Sequence, residues 1–225
     1  MNSSLTTPVV WNSGQIHLLE MPTGARGYPS DVNEWGHVAG SVRLEPRSSP
    51  QPASWDANGL HVLPIDNGEY GFGKALNDSG DVVGWVRLPS DHTIPVEWRN
   101  GEMHELPRLF VGDVPDRDNA YARDVNNSGL IVGEATTAEY RSHAVLWSGG
   151  QIFDLNDLLP ANSGWELYNA TGINDEGRIA GYGMFQGQIQ PFILTPTSVP
   201  EPAAASSLAM FSLIPLSRRG RRAGH

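Results

Sequence analysis

The sequence predicts an all-β protein built from tandem repeats. Of its 225 residues, 25 are glycine and 17 are proline, which favours many turns and little long helix. Val, Ile and Trp fall in short clusters, and no 15-residue window combines helical apolar spacing with helix caps. Two motifs alternate along the chain, each recurring after 43 to 49 residues. Together these observations favour strands grouped into repeated units.

The first motif predicts a β-hairpin centred on asparagine. It reads apolar, Asn, two variable residues, Gly, any residue, Val or Ile, Val or Ala, Gly, near residues 30–40, 74–84, 123–133 and 171–181. The residues after Asn and the first Gly supply a tight turn that tolerates positive φ, between two apolar strands. The repeat positions are Asn33, Gly36, Gly40, Asn77, Gly80, Gly84, Asn126, Gly129, Gly133, Asn174, Gly177 and Gly181.

The second motif predicts another hairpin, centred on tryptophan. Each copy has Pro or Ala three residues before the Trp and Leu eight residues after it. A turn such as Asn100-Gly101 separates the two strands, and the recurring Trp is expected to pack between repeats. Leu194 takes the Trp place in a fifth copy. The tryptophans are Trp11, Trp55, Trp98 and Trp147.

One Asn hairpin plus one Trp hairpin gives four strands in about 45 residues, the size of a propeller blade. We therefore predict a β-propeller-like array of four to five blades, complete or incomplete, over residues 1–197. A β-helix is the main competing fold, although its repeats are usually shorter. The ring could close through the N-terminal strands, or the array could be open.

The charge distribution argues against nucleic-acid binding. The chain carries a net charge of −10, and residues 1–198 alone hold 24 acidic and 11 basic side chains, a net of −13. Binding to phosphates requires cationic groups. The chain also has no cysteine, which excludes disulfides, thiolate zinc sites and a cysteine nucleophile.

Residues 198–225 differ in composition and predict a separate tail. Val199, Pro200, Glu201 and Pro202 precede an uncharged, mostly apolar stretch over 203–216. A stretch of 14 residues is too short for an ordinary membrane span of about 20, so we expect a short apolar helix or tail. Arginines at the end favour a cytoplasm-facing orientation. They are Arg218, Arg219, Arg221 and Arg222.

Two resemblances follow from these motifs. The Asn hairpin followed by Ser142-His143-Ala144-Val145-Leu146-Trp147 resembles the HAF-type extracellular repeat of bacteria, over roughly residues 8–195. The tail resembles the PEP-CTERM sorting signal. These resemblances imply an exported protein of the cell envelope or extracellular space, held transiently at the membrane. They also imply a membrane sorting peptidase of the exosortase type that reads Pro200-Glu201-Pro202.

The N-terminus carries no visible export signal. Residues 1–7 have neither a basic segment nor an apolar one. A sorting tail without a signal peptide predicts that residues encoded upstream of Met1 carry that peptide and at least half a repeat.

Two candidate metal patterns have simpler explanations. His17, His61 and His104 each lie six residues after their Trp, where the fourth copy has Phe153. A position that accepts Phe suggests strand packing, and the alternative is a ring of histidine ligands around a channel. The loops at Asp31 and Asp124 resemble the start of a calcium loop but have Val42 and Ala135 where a bidentate Glu is required. Turn chemistry explains all four copies.

The sequence offers weak support for catalysis and for a sugar-binding platform. No Gly-x-Ser-x-Gly elbow is present, and nothing fixes the separation of the acids, which are Asp113, Asp116, Asp118 and Glu166. Three tryptophans fall outside the repeat pattern and are candidates for an exposed binding platform, or for core or rim packing. They are Trp35, Trp85 and Trp165.

The sequence therefore predicts a non-enzymatic surface or extracellular-matrix protein whose repeats bind polysaccharide or protein. No catalytic residue, cofactor or metal site is predicted. The alternative is an extracellular polymer-degrading enzyme, similar to a glycoside hydrolase, that uses carboxylates on the propeller face.

Overall fold

The computed structural model describes residues 7–111, 118–197 and, as backbone only, 210–215. All regular elements in these ranges are strands, so the all-β prediction is confirmed. No helix in the described residues is long and apolar enough to cross a membrane. The strands are β1 (Val9–Asn12), β2 (Gln15–Leu18), β3 (Arg26–Val32), β4 (Val38–Arg43), β5 (Gln51–Asp56), β6 (Gly59–Val62), β7 (Tyr70–Leu76), β8 (Val82–Arg87), β9 (Thr93–Arg99), β10 (Glu102–Glu105), β11 (Ala120–Val125), β12 (Ile131–Thr136), β13 (Ser142–Ser148), β14 (Gln151–Asp154), β15 (Trp165–Ile173), β16 (Ile179–Phe185), β17 (Gln188–Thr197) and β18 (Met210–Pro215).

Sixteen of the described strands form four antiparallel four-stranded sheets. Sheet I holds β3–β6, sheet II β7–β10, sheet III β11–β14 and sheet IV β15–β18, and within each sheet the strands lie in chain order. The β1–β2 pair is a separate hairpin. Because consecutive strands are antiparallel, their connections alternate between the two ends of a sheet. The short turns of both hairpin motifs lie at one end, called here the turn end. The longer loops lie at the other, the loop end.

The Asn side chain organises the turn between the first two strands of a sheet. Asn126 is 3% exposed, and its Oδ1 accepts hydrogen bonds from the N–H groups of Ser128 and Leu130, both at 3.0 Å. Its Nδ2 donates to the carbonyl of Asn174 in the next sheet at 3.0 Å. Asn33 repeats this contact with Asn77, also at 3.0 Å. The position thus needs an acceptor and a donor on one short side chain, which Asn provides and Asp does not.

The final Gly of the motif lies opposite a β-bulge. In each sheet the residue three positions before the motif Asn is skipped by the pairing of the first strand with the second, and in sheet IV Tyr168 is skipped as well. A Cβ on Gly84 would lie 1.9 Å from the Phe72 carbonyl oxygen, and one on Gly133 would lie 1.9 Å from that of Tyr121. Only glycine fits so close to a bulged backbone. The bulged residues at the position three before the motif Asn are Ser30, Lys74, Arg123 and Thr171.

The core lies in layers between successive sheets. One buried cluster joins sheets I and II, a second joins II and III, and a third joins III and IV. The first strands β3, β7, β11 and β15 also contact one another in that order. Trp98 and Trp147 are 1% and 2% exposed, and each donates a 2.7 Å hydrogen bond from Nε1 to a carbonyl that follows the preceding sheet. Trp55 makes the same kind of bond to Glu20 at 3.3 Å.

Trp11 departs from the packing expected of the repeat tryptophans. It is 71% exposed, and its hairpin neighbours Ile16 and Leu18 are 61% and 70% exposed. In sheets I to IV the strand equivalent to β1 has partners on both sides, whereas β1 pairs only with β2 in the described residues. Among the described residues no sheet packs over this side of the hairpin, so most of the indole is exposed.

The C-terminal strand corrects the expectation of an apolar helix. Residues Met210–Pro215 form β18, which pairs antiparallel with β17 and places Leu213 opposite Leu194. Leu194 itself is paired with Ile179, as Trp147 is with Ile131, so it occupies the Trp position. β18 is the fourth strand of sheet IV, as β6, β10 and β14 are of their sheets. Its pairing satisfies the backbone N–H and C=O groups on the edge of β17.

Replacing a repeat tryptophan tests the role of these inter-sheet layers. We expect Trp98→Ala to lower the free energy of unfolding by about 3–5 kcal/mol, because it removes a buried aromatic side chain and leaves a cavity. Trp11→Ala should change it by no more than about 0.5 kcal/mol. Chemical denaturation of both variants measures the difference, and equal losses would contradict the packing described.

Candidate functional site

The four bulged residues that lie three positions before the motif Asn form a row across the first strands. A bulge redirects a side chain out of the regular alternation of a strand. Two members of the row are hydroxyl residues that bond to backbone: Ser30 Oγ donates to the Gly73 carbonyl at 2.8 Å, and Thr171 Oγ1 to the Ala180 carbonyl at 3.3 Å. The two central members are cations, Lys74 and Arg123. The repeat thus changes chemistry at one position while its backbone stays the same.

The two cations lie against aromatic rings. Lys74 Nζ is 5.3 Å from the centroid of Phe72, and Arg123 Cζ is 5.1 Å from that of Tyr121, both within cation–π range. Arg123 also pairs with Glu134. Burial and the nearby Arg123 guanidinium both lower the pKa of Lys74. Lys74 is the single lysine of the chain, and it forms no ion pair in the described part of the protein.

Four aromatic side chains form a continuous strip beside these cations. Ring centroids are 6.4 Å apart for Tyr70 and Phe72, 4.8 Å for Phe72 and Trp85, and 5.6 Å for Trp85 and Tyr121. The strip crosses from sheet II to sheet III near the loop end. Trp85 Nε1 is buried and has no hydrogen-bond partner. Tyr70, Phe72, Trp85 and Tyr121 are called here the aromatic strip.

Grooves between neighbouring sheets open at the loop end. The groove between sheets I and II has a volume of about 390 Å³ and is called here the arginine groove. An equivalent groove of about 330 Å³ lies between sheets III and IV, lined by Glu134, Arg141, Ser142, Tyr168 and Tyr182. Between sheets II and III the rings of Trp85 and Tyr121 meet. The arginine groove is lined by Arg43, Arg47, Ser48, Ser49, Pro50, Tyr70 and Phe72.

A further groove of about 460 Å³ lies between β1 and the first Asn turn. It occurs where the first two strands of a complete sheet would pack beside β1. Its polar groups are already used for structure, since Asn33 Oδ1 accepts from His37 N–H and Asp31 Oδ2 accepts from Leu76 N–H. We therefore regard it as a consequence of the short N-terminal hairpin.

His143, near the loop end, lies beside two carboxylates. His143 Nδ1 lies 2.5 Å from Asp154 Oδ2, and its Nε2 lies 3.8 Å from Glu166 Oε1. The Asp154 hydrogen bond raises the pKa of His143, although burial opposes this. Burial raises the pKa of Asp154, but the hydrogen bonds from His143 and Asn156 outweigh it, and the pKa is lowered.

The acids named for hydrolysis are held in ion pairs where the structure describes them. Asp118 is 2% exposed and bonds to His92 and to Arg108 Nη1, the latter at 2.9 Å. Glu166 pairs with Arg141 at 3.0 Å. Asp113 and Asp116 lie outside the described residues. These contacts hold both carboxylates against neighbouring basic side chains.

The three off-pattern tryptophans lie in different places. Trp35 is 71% exposed in the first Asn turn, at the turn end. Trp85 belongs to the aromatic strip. Trp165 stacks on Phe185 with centroids 4.9 Å apart and packs against the core between sheets III and IV. They therefore do not form one platform.

The candidate metal positions also take structural places. His17, His61 and His104 are exposed on β2, β6 and β10, the last strands of their hairpin or sheets, so they neither pack in the core nor line the row of first strands. Asp124 Oδ2 accepts the Ile173 N–H at 2.7 Å, which links sheet III to sheet IV. Asp31 makes the equivalent bond to Leu76 at 3.0 Å. These carboxylates serve turns and sheet contacts.

The sorting-signal residues lie outside the described residues. They are Val199, Pro200, Glu201, Pro202, Arg218, Arg219, Arg221 and Arg222.

Sequence reasoning missed Lys74, Arg123, Arg43 and Arg47. The repeat alignment contained a signal for the first two, because Lys74 and Arg123 lie three residues before their motif Asn, at the position of Ser30 and Thr171. The alignment did not show that a bulge turns this position toward a shared surface. No repeat signal existed for Arg47, which lies in a loop of variable length.

The His143–Asp154 pair predicts a pH-dependent contribution to stability. Because folding raises the pKa of His143, the protonated histidine stabilises the folded state at pH values below its unfolded pKa of 6.5. This stabilisation is lost as the pH rises through the pKa of His143 in the folded protein. Because folding lowers the pKa of Asp154, its ionised carboxylate stabilises the folded state at pH values above its unfolded pKa of 3.8. This stabilisation is lost as the pH falls through the pKa of Asp154 in the folded protein. The free-energy difference between wild type and His143→Gln should therefore be largest between about pH 4 and 6.5 and should shrink above that range.

The exposed His61–Asp56 pair, with N···O at 2.8 Å, provides the matched control. Solvent screens it, so His61→Gln should show a smaller pH-dependent difference. Denaturation curves across this pH range measure both variants, and a His143→Gln difference that grows toward alkaline pH would contradict the assignment.

Comparison with known proteins leaves the chain without an assigned family. No family model matches it. A search of curated proteins finds no matching relative.

Proposed function

We propose that this protein is an exported, non-enzymatic surface or matrix protein that binds polysaccharide on its loop end. The aromatic strip carries this proposal. Its four rings are in continuous contact and lie beside Lys74 and Arg123. Aromatic faces pack against the apolar faces of sugar rings, while flanking polar groups fix their orientation.

We infer that the sheets are blades of a propeller-like array, with β3, β7, β11 and β15 as inner strands. The support is that each sheet is a four-stranded meander in chain order and that these first strands contact one another in sequence. The rigid part of such an array is the stack of sheets, whereas its loops vary without disturbing the core. A ligand site at the loop end agrees with this arrangement, because the loops there can vary while the stack of sheets stays rigid.

Removing one ring of the aromatic strip tests polysaccharide binding. We expect Phe72→Ala to weaken binding to a soluble polysaccharide by about tenfold, through the loss of one stacking surface. Trp35→Ala removes an exposed aromatic at the turn end and should leave binding unchanged. Isothermal titration of both variants, checked for an unchanged Tm, measures the difference. Equal effects of the two substitutions would overturn the location of the site.

We also propose that the tail is a sorting signal, cleaved near Pro200-Glu201-Pro202 by a membrane peptidase. The order of this motif, the apolar stretch and the arginine cluster supports the proposal. Cleavage there would remove β18 and leave the edge of β17 open.

The intact mass of the protein from its native cells tests this processing. We expect a product that lacks everything beyond about Pro202, found in the envelope or outside the cell, because an exported substrate would have met the peptidase. A full-length mass in the cytosol would contradict both export and processing. Replacement of Glu201 with Ala should give the uncleaved mass, and normal cleavage of that variant would exclude the motif as the signal.

A further inference from the structure

We propose that the arginine groove binds an acidic polysaccharide, with Arg43 and Arg47 contacting the carboxylates of uronic-acid units and with Tyr70 and Phe72 stacking on their rings. This proposal rests on the polysaccharide binding proposed above and names the class of polymer. It concerns the groove between sheets I and II, lined by two arginines, two serines, a proline and two aromatic residues, with no acidic residue in the lining.

The distribution of ion pairs points to this groove. The described residues contain ten lysine and arginine side chains, and six of them form ion pairs with carboxylates. The other four lie in sheet I, in its β4–β5 loop or on the first strand of sheet II. In a body with 24 acidic and 11 basic residues, carboxylate partners are plentiful, so unpaired cations gathered in one region suggest an external anion. They are Arg26, Arg43, Arg47 and Lys74.

Two of these arginines face each other. Arg26 and Arg43 are direct partners across the β3–β4 pair, where like charges destabilise a sheet. Arg26 Nε is buried and has no hydrogen-bond partner. Arg26 is not part of the groove lining, but Arg43 is, and an anion held beside Arg43 would offset the repulsion between the two guanidinium groups.

The aromatic side of the groove favours a sugar over a bare anion. Tyr70 and Phe72 meet edge to face with planes at 90°, so they present rings in two orientations to the same groove. A pyranose ring offers an apolar face to such side chains, and a uronate adds a planar carboxylate that matches a guanidinium. An inorganic anion would use only the arginines.

The groove is open and continues toward further cations. Phe72 is shared between the arginine groove and Lys74, whose Nζ lies 5.3 Å from its ring. Arg123 on the next first strand is close enough to lower the pKa of Lys74. Successive acidic units of a polymer could therefore follow the first strands across two sheets. The flanking acids Glu45 and Glu69 are exposed and are not part of the groove lining.

Binding of the full chain to polygalacturonate, compared with a neutral glucan, tests the proposal. We expect the wild type to prefer polygalacturonate, and Arg43→Gln combined with Arg47→Gln to weaken that binding by about tenfold or more, while binding of the neutral glucan stays unchanged. Arg178→Gln is the matched control, because Arg178 is an exposed arginine at the turn end, paired with Glu176 at 2.8 Å. It should bind like the wild type.

The possible outcomes separate this proposal from the broader one. Binding of the neutral glucan as tightly as polygalacturonate, with no effect of the arginine substitutions, would overturn the acidic class and leave polysaccharide binding intact. Binding of neither polymer would overturn both. Polyphosphate binding as tightly as polygalacturonate would show attraction by charge alone and would also overturn the proposal. Arg47 lies in an exposed loop, so Arg47→Gln alone keeps the test valid if the double variant fails to fold.

Discussion

The contact between one Asn turn and the next is the interaction on which the architecture depends. At this place the chain must close a tight turn and also join two sheets. The Asn126 side chain does both, with Oδ1 bonded to its own turn and Nδ2 bonded to the Asn174 carbonyl. Neighbouring turn residues extend the connection, since the Asp78 N–H donates to Asn127 Oδ1 and the Asn127 N–H donates to Asp175 Oδ1, each at 2.8 Å. Buried polar groups are costly unless they are satisfied, so this end tolerates little variation.

Because the turn end and the inter-sheet layers hold the sheets together, the loop end is free to vary. The β4–β5 loop and the segments between sheets differ in length and sequence from copy to copy. The grooves at this end differ accordingly. One contains arginines, one contains tyrosines with Arg141 and Glu134, and between sheets II and III two aromatic rings meet. A rigid scaffold with variable loops is a common arrangement for binding proteins.

The bulge connects the scaffold to the proposed chemistry. Its backbone is the same in all four sheets because the opposing glycine allows the close approach of the first strand. The bulged side chain therefore lies outside the regular alternation of buried and exposed positions along the first strand. Ser30 and Thr171 use this freedom for backbone hydrogen bonds, whereas Lys74 and Arg123 bring positive charge beside aromatic rings. A structural irregularity thus becomes a place where repeats can differ without losing the fold.

The sequence by itself determined the all-β class, the four Asn hairpins and the equivalence of Leu194 to the repeat tryptophans, because these depend on local turn chemistry and on a period visible along the chain. Only the tertiary structure decided that Trp11 is exposed while Trp98 is buried, since that depends on whether another sheet lies alongside. It also decided that Met210–Pro215 is a strand, because an apolar segment takes its form from the edge it can pair with. The sequence also could not predict that Arg43, Arg47, Tyr70 and Phe72 line one groove, because the groove lies between a loop of one sheet and the first strand of the next.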